Sequence, residues 1–214
     1  MSKKLNDTQK FDNDLISQLE TLSNKKITSL EIKQFGSDSE NSDLIYLKKV
    51  NVDGIMITSL DRENAFKLYD FFYKKVILLG YQFFLTNMEI KFPNINIKDL
   101  EKNYSYETYY DLAIIKANDQ FDIIKLVKTE AGNYDYNTEQ IIEKIISWEK
   151  YSRIQLTVVE HDRVEGYLLD KPKNVKNFAN EIYEFAPDVV EQGTQTKKEL
   201  INELNSGYFW LWWD

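Results

Sequence analysis

Apolar residues recur at helical spacing in two stretches of the first half of the chain. The first stretch covers residues 8–22 and places Asp7 at the position of a helix N-cap. The second begins after Asp61 and ends before Gly80, a residue type that commonly follows the last turn of a helix. Strands are predicted where apolar or alternating runs occur, at residues 27–35, 43–50, 54–59 and 81–88.

The second half of the chain also mixes helical and strand patterns. Four helices are predicted there: one capped by Asn118, one at residues 138–149 capped by Asn137 and Gln140, one at residues 174–185, and one between Thr196 and Gly207. Strands are predicted at residues 111–117, 154–159, 164–169 and 208–213, with the middle two forming a hairpin.

The pattern weakens between residues 89 and 106, which include Pro93, several asparagines and a run of charges. We therefore predict an N-terminal α+β domain at residues 1–95, a connection at 96–110 and a C-terminal α+β domain at 111–214. The order of elements predicts mixed or antiparallel sheets with helices packed on one face. Only seven glycines and three prolines are available for flexible linkers, so the two halves should be closely coupled.

Composition limits the classes of function that need to be considered. The 27 Lys and Arg against 35 Asp and Glu give 27 − 35 = −8, and the sequence pI is about 4.9. An acidic chain repels a phosphate backbone, so we do not expect a nucleic-acid partner. A hydrophobic content of 43% is too high for a disordered chain of this charge, so a packed core is expected.

Neither a membrane nor a cofactor is indicated by the residue content. No uninterrupted apolar run is long enough to cross a bilayer, and no apolar stretch follows the charged N-terminus as in a signal peptide. We therefore expect a cytoplasmic protein. The absence of cysteine and the single histidine exclude a thiolate nucleophile, a cysteine-based metal site and a histidine-rich metal site, so no metal or cofactor is expected.

Three tryptophans fall in the last five residues, Trp210, Trp212 and Trp213, followed by Asp214. Alternation places apolar residues on both faces of residues 208–213, which favours a central strand covered on both sides. The alternative is an aromatic platform for a ligand or partner, with the carboxylates of Asp214 beside it.

A second candidate is the connection between two predicted helices at residues 186–194. It contains Asp188, Glu191 and Gln192 and ends in Gly193, a residue that permits an unusual turn. A structural loop in which Asp188 accepts backbone hydrogen bonds is the favoured interpretation. Acid-base chemistry is the alternative, since paired carboxylates are used for it.

Three further features could carry a site. His161 lies between Glu160 and Asp162 on the predicted hairpin turn, where it could act as a base or a metal ligand or simply be a solvated surface residue. The loop at residues 129–137, with Asn133 and Asp135, is either a binding loop or an ordinary entry to a helix. A tyrosine cluster at residues 104–110 is typical of interfaces and equally of packing between domains.

The C-terminal half also contains specific sequence signals. These are Asn133-Tyr134-Asp135, the stretch Phe178-Ala179-Asn180-Glu181-Ile182-Tyr183-Glu184-Phe185 leading into Pro187-Asp188-Val189-Val190-Glu191-Gln192-Gly193, and the ending Trp212-Trp213-Asp214. Together they resemble the bacterial family called domain of unknown function 4253, over about residues 111–214. The resemblance implies a bacterial, cytoplasmic protein and gives no reaction.

The same resemblance points to candidate positions and to two departures. If the family has a site, the positions indicated are Asn133, Asp135, Asp188, Gln192, Trp213 and Asp214. Family members typically carry cysteine before the Pro-Asp step, where this chain has Ala186, so no thiol role is available. Related sequences tend to carry Asn-Gly where this chain has Glu130-Ala131.

Two specific classes of function remain open from the sequence, beside a less specific third, a regulatory or stress-associated accessory protein without catalytic activity. The first is a non-catalytic protein-interaction module, one form of which is an immunity protein that neutralises a basic toxin, because an acidic surface steers association with a basic partner. The alternative is a small-ligand binder or enzyme with a site around Asp188, Gln192 and the terminal Trp-Asp pair. The chain contains no phosphate-binding loop, nucleophile elbow or dinucleotide fingerprint, so we favour the non-catalytic class.

Overall fold

A computed structural model describes residues 11–38, 41–91 and 107–214 and shows an α+β fold, as predicted. The α-helices in this part of the chain are α1 Asn13–Ser23, α2 Arg62–Leu78, α3 Phe121–Val127, α4 Thr138–Ser147, α5 Val175–Phe185 and α6 Lys197–Ser206. The strands are β1 Thr28–Asp38, β2 Asn41–Asp61, β3 Tyr81–Lys91, β4 Glu107–Lys116, β5 Ile154–Val159, β6 Arg163–Leu168 and β7 Tyr208–Trp212. No helix among these residues is long and apolar enough to cross a membrane.

The chain divides into two compact units. The first comprises residues 1–32 and 50–116, and the second comprises residues 33–49 and 117–214. Strand β4 thus belongs to the first unit, although its residues 111–116 lie within the predicted C-terminal domain. Of the predicted connection, residues 96–106 lie outside the described residues, as do Tyr104 and Tyr106 of the tyrosine cluster.

In the first unit, β4 pairs with β2 on one side and with β3 on the other, antiparallel in both cases. Helix α2 packs on β3 and β4 through its buried face. There the ring of Tyr69 stacks on Phe83 with centroids 5.3 Å apart, and Phe66 meets Tyr110 edge to face. The side chain of Asp61 caps α2, and Gly80 follows it with φ +80°, as the sequence predicts.

In the second unit, β6 lies between β5 and β7 with antiparallel pairing on both sides. The fully buried ring of Trp148, just after α4, is the centre of an aromatic core. Its centroid lies 5.7 Å from Phe178, 5.7 Å from Phe185 and 5.9 Å from Phe209. Because these rings come from α5 and β7, the core fixes both elements against the residues that follow α4.

The side chain of Glu181 on α5 ties this core to polar groups at its margin. Its carboxylate accepts hydrogen bonds from the indole of Trp148 at 2.9 Å, the hydroxyl of Tyr151 at 2.7 Å and the ammonium of Lys150 at 2.8 Å. Burial alone would raise the pKa of Glu181, but these donors stabilise the carboxylate more and lower its pKa to about 2.

Two helix caps and the position of one strand depart from the sequence predictions. Helix α1 is capped by Asp12, whose carboxylate accepts from the amide of Leu15 at 2.7 Å, while Asp7 lies outside the described residues. Asn118 does not cap α3, which begins after Gln120, because Asp119 takes the amide of Phe121 at 2.8 Å. Helix α5 begins after Asn174, whose side chain makes no capping hydrogen bond.

The strand that departs is β7, which was predicted to be central. Within the second unit it pairs on one side only, with β6. Phe209 and Trp210 lie on opposite faces of β7, and both are nevertheless buried. Phe209 packs on Trp148. Trp210 packs on Gly193 and donates to Glu203 of α6. The two apolar faces of β7 therefore reflect helical structure on both faces of the strand, and not a neighbouring strand along each of its edges.

We predict that Glu181→Gln lowers stability at neutral pH and that the loss disappears in acid. Folding lowers the pKa of the Glu181 carboxyl from its ordinary value of 4.5 to about 2. Its charged form therefore stabilises the native state at pH values above 4.5, and this contribution is lost as the pH falls towards about 2. Urea unfolding at a series of pH values measures the difference between the two proteins. The exposed Glu184→Gln on the same helix is the control, and a difference for Glu181→Gln that is constant with pH would contradict the assignment.

Candidate functional site

Three segments that are distant in sequence meet at the carboxylate of Asp188. Asp188 follows Pro187, a residue that cannot continue α5 and lies two residues beyond its end. One turn of π-helix, Val189–Thr194, follows Asp188. The hydroxyl of Tyr134 donates to Oδ2 at 2.9 Å, and the main-chain amide of Asp214 donates to the same oxygen at 3.0 Å. The side-chain amide of Gln192 donates to Oδ1 at 2.9 Å. We call this arrangement the Asp188 junction.

The junction keeps a nearly buried carboxylate ionised. Asp188 is only 5% exposed, and burial alone would raise its pKa. The amide of Asp214 and the donors on Gln192 and Tyr134 outweigh burial, so the pKa of Asp188 lies below its ordinary value. An aspartate held in this way is a hydrogen-bond acceptor at neutral pH and is not available as a general acid.

The hydroxyl of Tyr134 lies in a strongly negative environment. Burial, the hydrogen bond to Asp188 and the charges of Asp188, Glu191 and Asp214 together raise the pKa of Tyr134 to about 12. Because Glu191 and Asp214 are exposed, their carboxylates form an acidic rim around the half-buried tyrosine. The hydroxyl of Tyr183 donates to Glu191 at 3.0 Å and orients one side of this rim.

The candidate residues Asn133 and Asp135 flank Tyr134 in a short 3₁₀ turn, Gly132–Tyr134. The side-chain amide of Asn133 donates to the main-chain oxygen of Asp214, so this loop contacts Asp214 directly and is also linked to it through Asp188. Asp135 is exposed and adopts a left-handed conformation with φ 57°, which aspartate tolerates better than most residues. The loop therefore holds Tyr134 against Asp188 and places Asp135 at the surface.

The structure places Trp213 in the core rather than on an exposed platform. It is 3% exposed, its indole N–H donates to the carbonyl of Phe185 at 3.1 Å, and its ring meets that of Phe185 edge to face. Its main-chain amide donates to the carbonyl of Asp162 at 3.1 Å. Trp213 thus fixes the position of the adjacent Asp214 at the junction.

Gly193 is explained by close packing and not by an unusual turn, which corrects the sequence-based interpretation. Its φ lies outside the left-handed region, and Gln195, with φ 65°, makes the left-handed turn instead. An added Cβ at Gly193 would lie 2.8 Å from Cζ2 of Trp210 and closer still to Cη2. The absence of a side chain therefore lets the end of the π-turn pack directly on the Trp210 ring.

His161 lies in the turn between β5 and β6. Its Nε2 is 3.3 Å from Oδ2 of Asp162. The sequence-based expectation of a solvated hairpin tip is not met, because the carbonyls of this turn accept from the hydroxyl of Thr129 and from the amides of Glu130 and Trp213. The donors to the carboxylate of Asp188 are Tyr134, Gln192 and the Asp214 amide, so His161 is not one of the side chains of the Asp188 junction.

Sequence reasoning missed a buried ion pair on the polar face of β6. Glu165 is fully buried, Nε of Arg163 lies 2.7 Å from its Oε1, and the hydroxyl of Tyr208 donates to its other oxygen. The guanidinium of Arg163 also lies over the ring of Trp210 at 5.4 Å. Alternation of Arg163, Glu165 and Tyr167 with apolar residues along β6 was the signal that one face of this strand is polar.

The junction has limited capacity for chemistry. Both oxygens of Asp188 are engaged by three donors, so a ligand would have to displace one of them. Across residues 11–38, 41–91 and 107–214, no group of three or more His, Asp or Glu side chains is arranged to hold a metal ion. The Asp188 junction is thus a structural contact between three segments, with charged side chains around it.

Comparison with known proteins identifies one family. Residues 111–214 match the family model described as Domain of unknown function (DUF4253), so the resemblance predicted for the C-terminal half is confirmed. No curated protein and no solved structure is similar enough to this chain to match it. The matched range contains every residue of the Asp188 junction, which is therefore built entirely within this domain.

We predict that Asp188→Asn destabilises the protein by about 1–3 kcal/mol, because asparagine has only one acceptor oxygen and lacks the charge that strengthens the hydrogen bonds from Tyr134, Gln192 and the Asp214 amide. Asp135→Asn is the matched control, since it removes the same charge from an exposed position where asparagine tolerates the left-handed conformation. Chemical unfolding measures both. Equal stability of the two variants would contradict a structural role for Asp188.

We predict that Gly193→Ala destabilises the protein by about 1–3 kcal/mol, because the new methyl group would overlap the Trp210 ring, which Glu203 and Arg163 hold from other sides. Gly132→Ala is the control, because an added Cβ there meets open space. Thermal unfolding, monitored by circular dichroism and tryptophan fluorescence, measures both variants. Unchanged stability of Gly193→Ala would show that the π-turn does not need this close approach.

Proposed function

We propose that the chain is a non-catalytic protein-interaction module that binds a basic partner through its C-terminal domain. The observation that carries this proposal is the uneven distribution of charge. Residues 117–214 contain 11 Lys and Arg against 18 Asp and Glu, which gives 11 − 18 = −7 of the total −8. Residues 1–116 contain 16 and 17, which gives 16 − 17 = −1.

The acidic rim provides a defined place for such a partner. Glu191 and Asp214 are exposed carboxylates beside the half-buried Tyr134, and Asp135 follows Tyr134 directly. The Asp188 junction and the packing of Gly193 fix the segments that carry the rim residues, so little ordering of these segments is required on binding. Preorganisation of this kind favours affinity, and the negative potential favours fast association with a positive surface.

An immunity protein that neutralises a basic toxin is the form of this proposal that best fits the charge. A nuclease toxin must attract phosphates, so its own surface is positive and complementary to the acidic rim. The proposal sets this interaction in a bacterial cytoplasm. A ligand site or active site at Asp188 is the alternative, and it has less support because the carboxylate is already saturated with internal donors.

Co-expression with toxin-like genes encoded beside this one tests the proposal. We expect the protein to restore growth and to co-purify with one basic product, and we expect Glu191→Gln/Asp214→Asn to slow association and weaken capture. Glu143→Gln/Glu149→Gln is the control, since it removes two exposed charges from outside the rim. Added salt should reduce the association rate of the wild type more than that of the rim variant.

Two results would overturn the proposal. The first is that no neighbouring toxin-like product is neutralised or captured. The second is that a product is captured but the rim variant and the control bind it equally well, which would place the interface elsewhere on the protein.

A further inference from the structure

Trp212 differs from the other three tryptophans of the chain in the partners of its indole ring. Trp148, Trp210 and Trp213 each donate their indole N–H to an acceptor inside the fold. In the part of the chain that the structure describes, no acceptor takes the indole N–H of Trp212, and no lysine, arginine or aromatic ring lies against its ring. Because Trp212 is only half-buried, its indole is accessible to a partner as a ring face and as a donor.

Trp212 and Asp214 lie on the same face of the sheet. Side chains alternate along a strand, and the ring of Trp213 between them packs in the core against Phe185. The amide of Trp213 donates to the carbonyl of Asp162, so the pairing with β6 continues beyond Trp212. Asp214 is exposed, and among the described residues no lysine or arginine pairs with its carboxylate. An accessible indole and an exposed carboxylate therefore stand two residues apart on one face.

The preceding tryptophan on this face already holds a cation together with a carboxylate. Trp210 lies directly opposite Glu165 in the register of β6 and β7. The guanidinium of Arg163 lies 5.4 Å from the centroid of the Trp210 ring, and its Nε is 2.7 Å from the Glu165 carboxylate. Cation–π attraction and a charged contact thus fix one planar cation between a ring and a carboxylate. Arg163 is the residue opposite Trp212, but its guanidinium lies over Trp210 instead.

The charges around Asp214 favour a cation. Burial, the hydrogen bond to Asp188 and nearby carboxylates, including that of Asp214, raise the pKa of Tyr134 to about 12. The positive charge of Arg163 is offset by the buried carboxylate of Glu165 at 2.7 Å. A cation that approaches Trp212 from solvent therefore meets a negative potential, which attracts it towards Asp214.

We propose that Trp212 and Asp214 bind an arginine side chain of the basic partner, with the guanidinium stacked on the indole and paired with the carboxylate. This inference rests on the proposed function, because it supplies a specific contact beside the acidic rim, of which Asp214 is a member. A guanidinium suits the pair better than an ammonium, since it is planar, less strongly hydrated and able to donate to a carboxylate through two N–H groups. Tryptophan is also among the residue types that contribute most to binding in protein interfaces.

Nuclear magnetic resonance of the full chain with short peptides tests the proposal without the natural partner. The probe is a blocked peptide of alternating glycine and arginine, and the same peptide with lysine in place of arginine is the comparison. The arginine peptide should shift the indole signal of Trp212 and the side-chain carboxyl signal of Asp214. The indole signals of Trp148 and Trp213, which are bonded inside the fold, should stay in place. The lysine peptide at the same concentration should cause smaller shifts, because an ammonium lacks the planar stacking surface.

Two variants test the two halves of the contact. Trp212→Leu and Asp214→Asn should each weaken binding of the arginine peptide about 2- to 5-fold, the range expected for one exposed cation–π contact or ion pair. The amide signal of Arg163, opposite Trp212, follows binding in all variants. Glu143→Gln removes an exposed carboxylate from α4 and should bind the peptide as the wild type does. Circular dichroism shows whether each variant is folded, and Asp214→Asn, which changes only an exposed side chain, tests the proposal even if Trp212→Leu is not.

Three results would overturn the proposal: an unchanged Trp212 indole signal, an equal effect of the lysine peptide, or equal binding by the wild type and the folded variants. The peptide titration and the capture of a toxin-like product are independent of each other. Capture of a basic product without binding of the arginine peptide would remove this inference and leave the proposed function in place. Binding of the peptide without capture of any product would remove the proposed function and keep Trp212 and Asp214 as a site for arginine.

Discussion

The ionised carboxylate of Asp188 is the interaction on which the C-terminal domain depends. It joins the Tyr134 loop, the π-turn after α5 and the last residue of the domain through three hydrogen bonds of 2.9–3.0 Å. An acceptor with both oxygens engaged and little access to water is costly to disturb, because any lost donor leaves a buried polar group unpaired. The acidic rim around Tyr134 has its shape because of this constraint.

The sequence predicts those elements whose causes are local. Asp61 caps α2, Asn137 and Gln140 form the capping box of α4, and Thr196 caps α6, because in each case the partners lie three residues apart. The β5–β6 hairpin follows from two apolar runs separated by a short turn. The sequence motifs likewise named the three segments that meet at Asp188.

The geometry of that meeting could not be predicted, because its partners are 26 and 54 residues away along the chain. The same reason explains why Gly193 was assigned to an unusual turn: its neighbour is the ring of Trp210, which only the folded chain brings into contact. Trp213, which pattern alone allowed on a surface platform, donates to Phe185 inside the core. Strand β7, predicted to be central, has two apolar faces because helical structure covers both of them. In each case a tertiary contact decided between interpretations that the local pattern left open.

The Asp188 carboxylate is a buried acceptor that stays charged because of its internal donors. The most direct measurement is a pH titration of its side-chain carboxyl carbon by nuclear magnetic resonance in the intact protein. We expect a pKa below the ordinary value for aspartate, with chemical-shift changes at the Tyr134 ring and the Asp214 amide over the same pH range. A pKa at or above the ordinary value would show that burial dominates, and would contradict the junction as the structural basis of this domain.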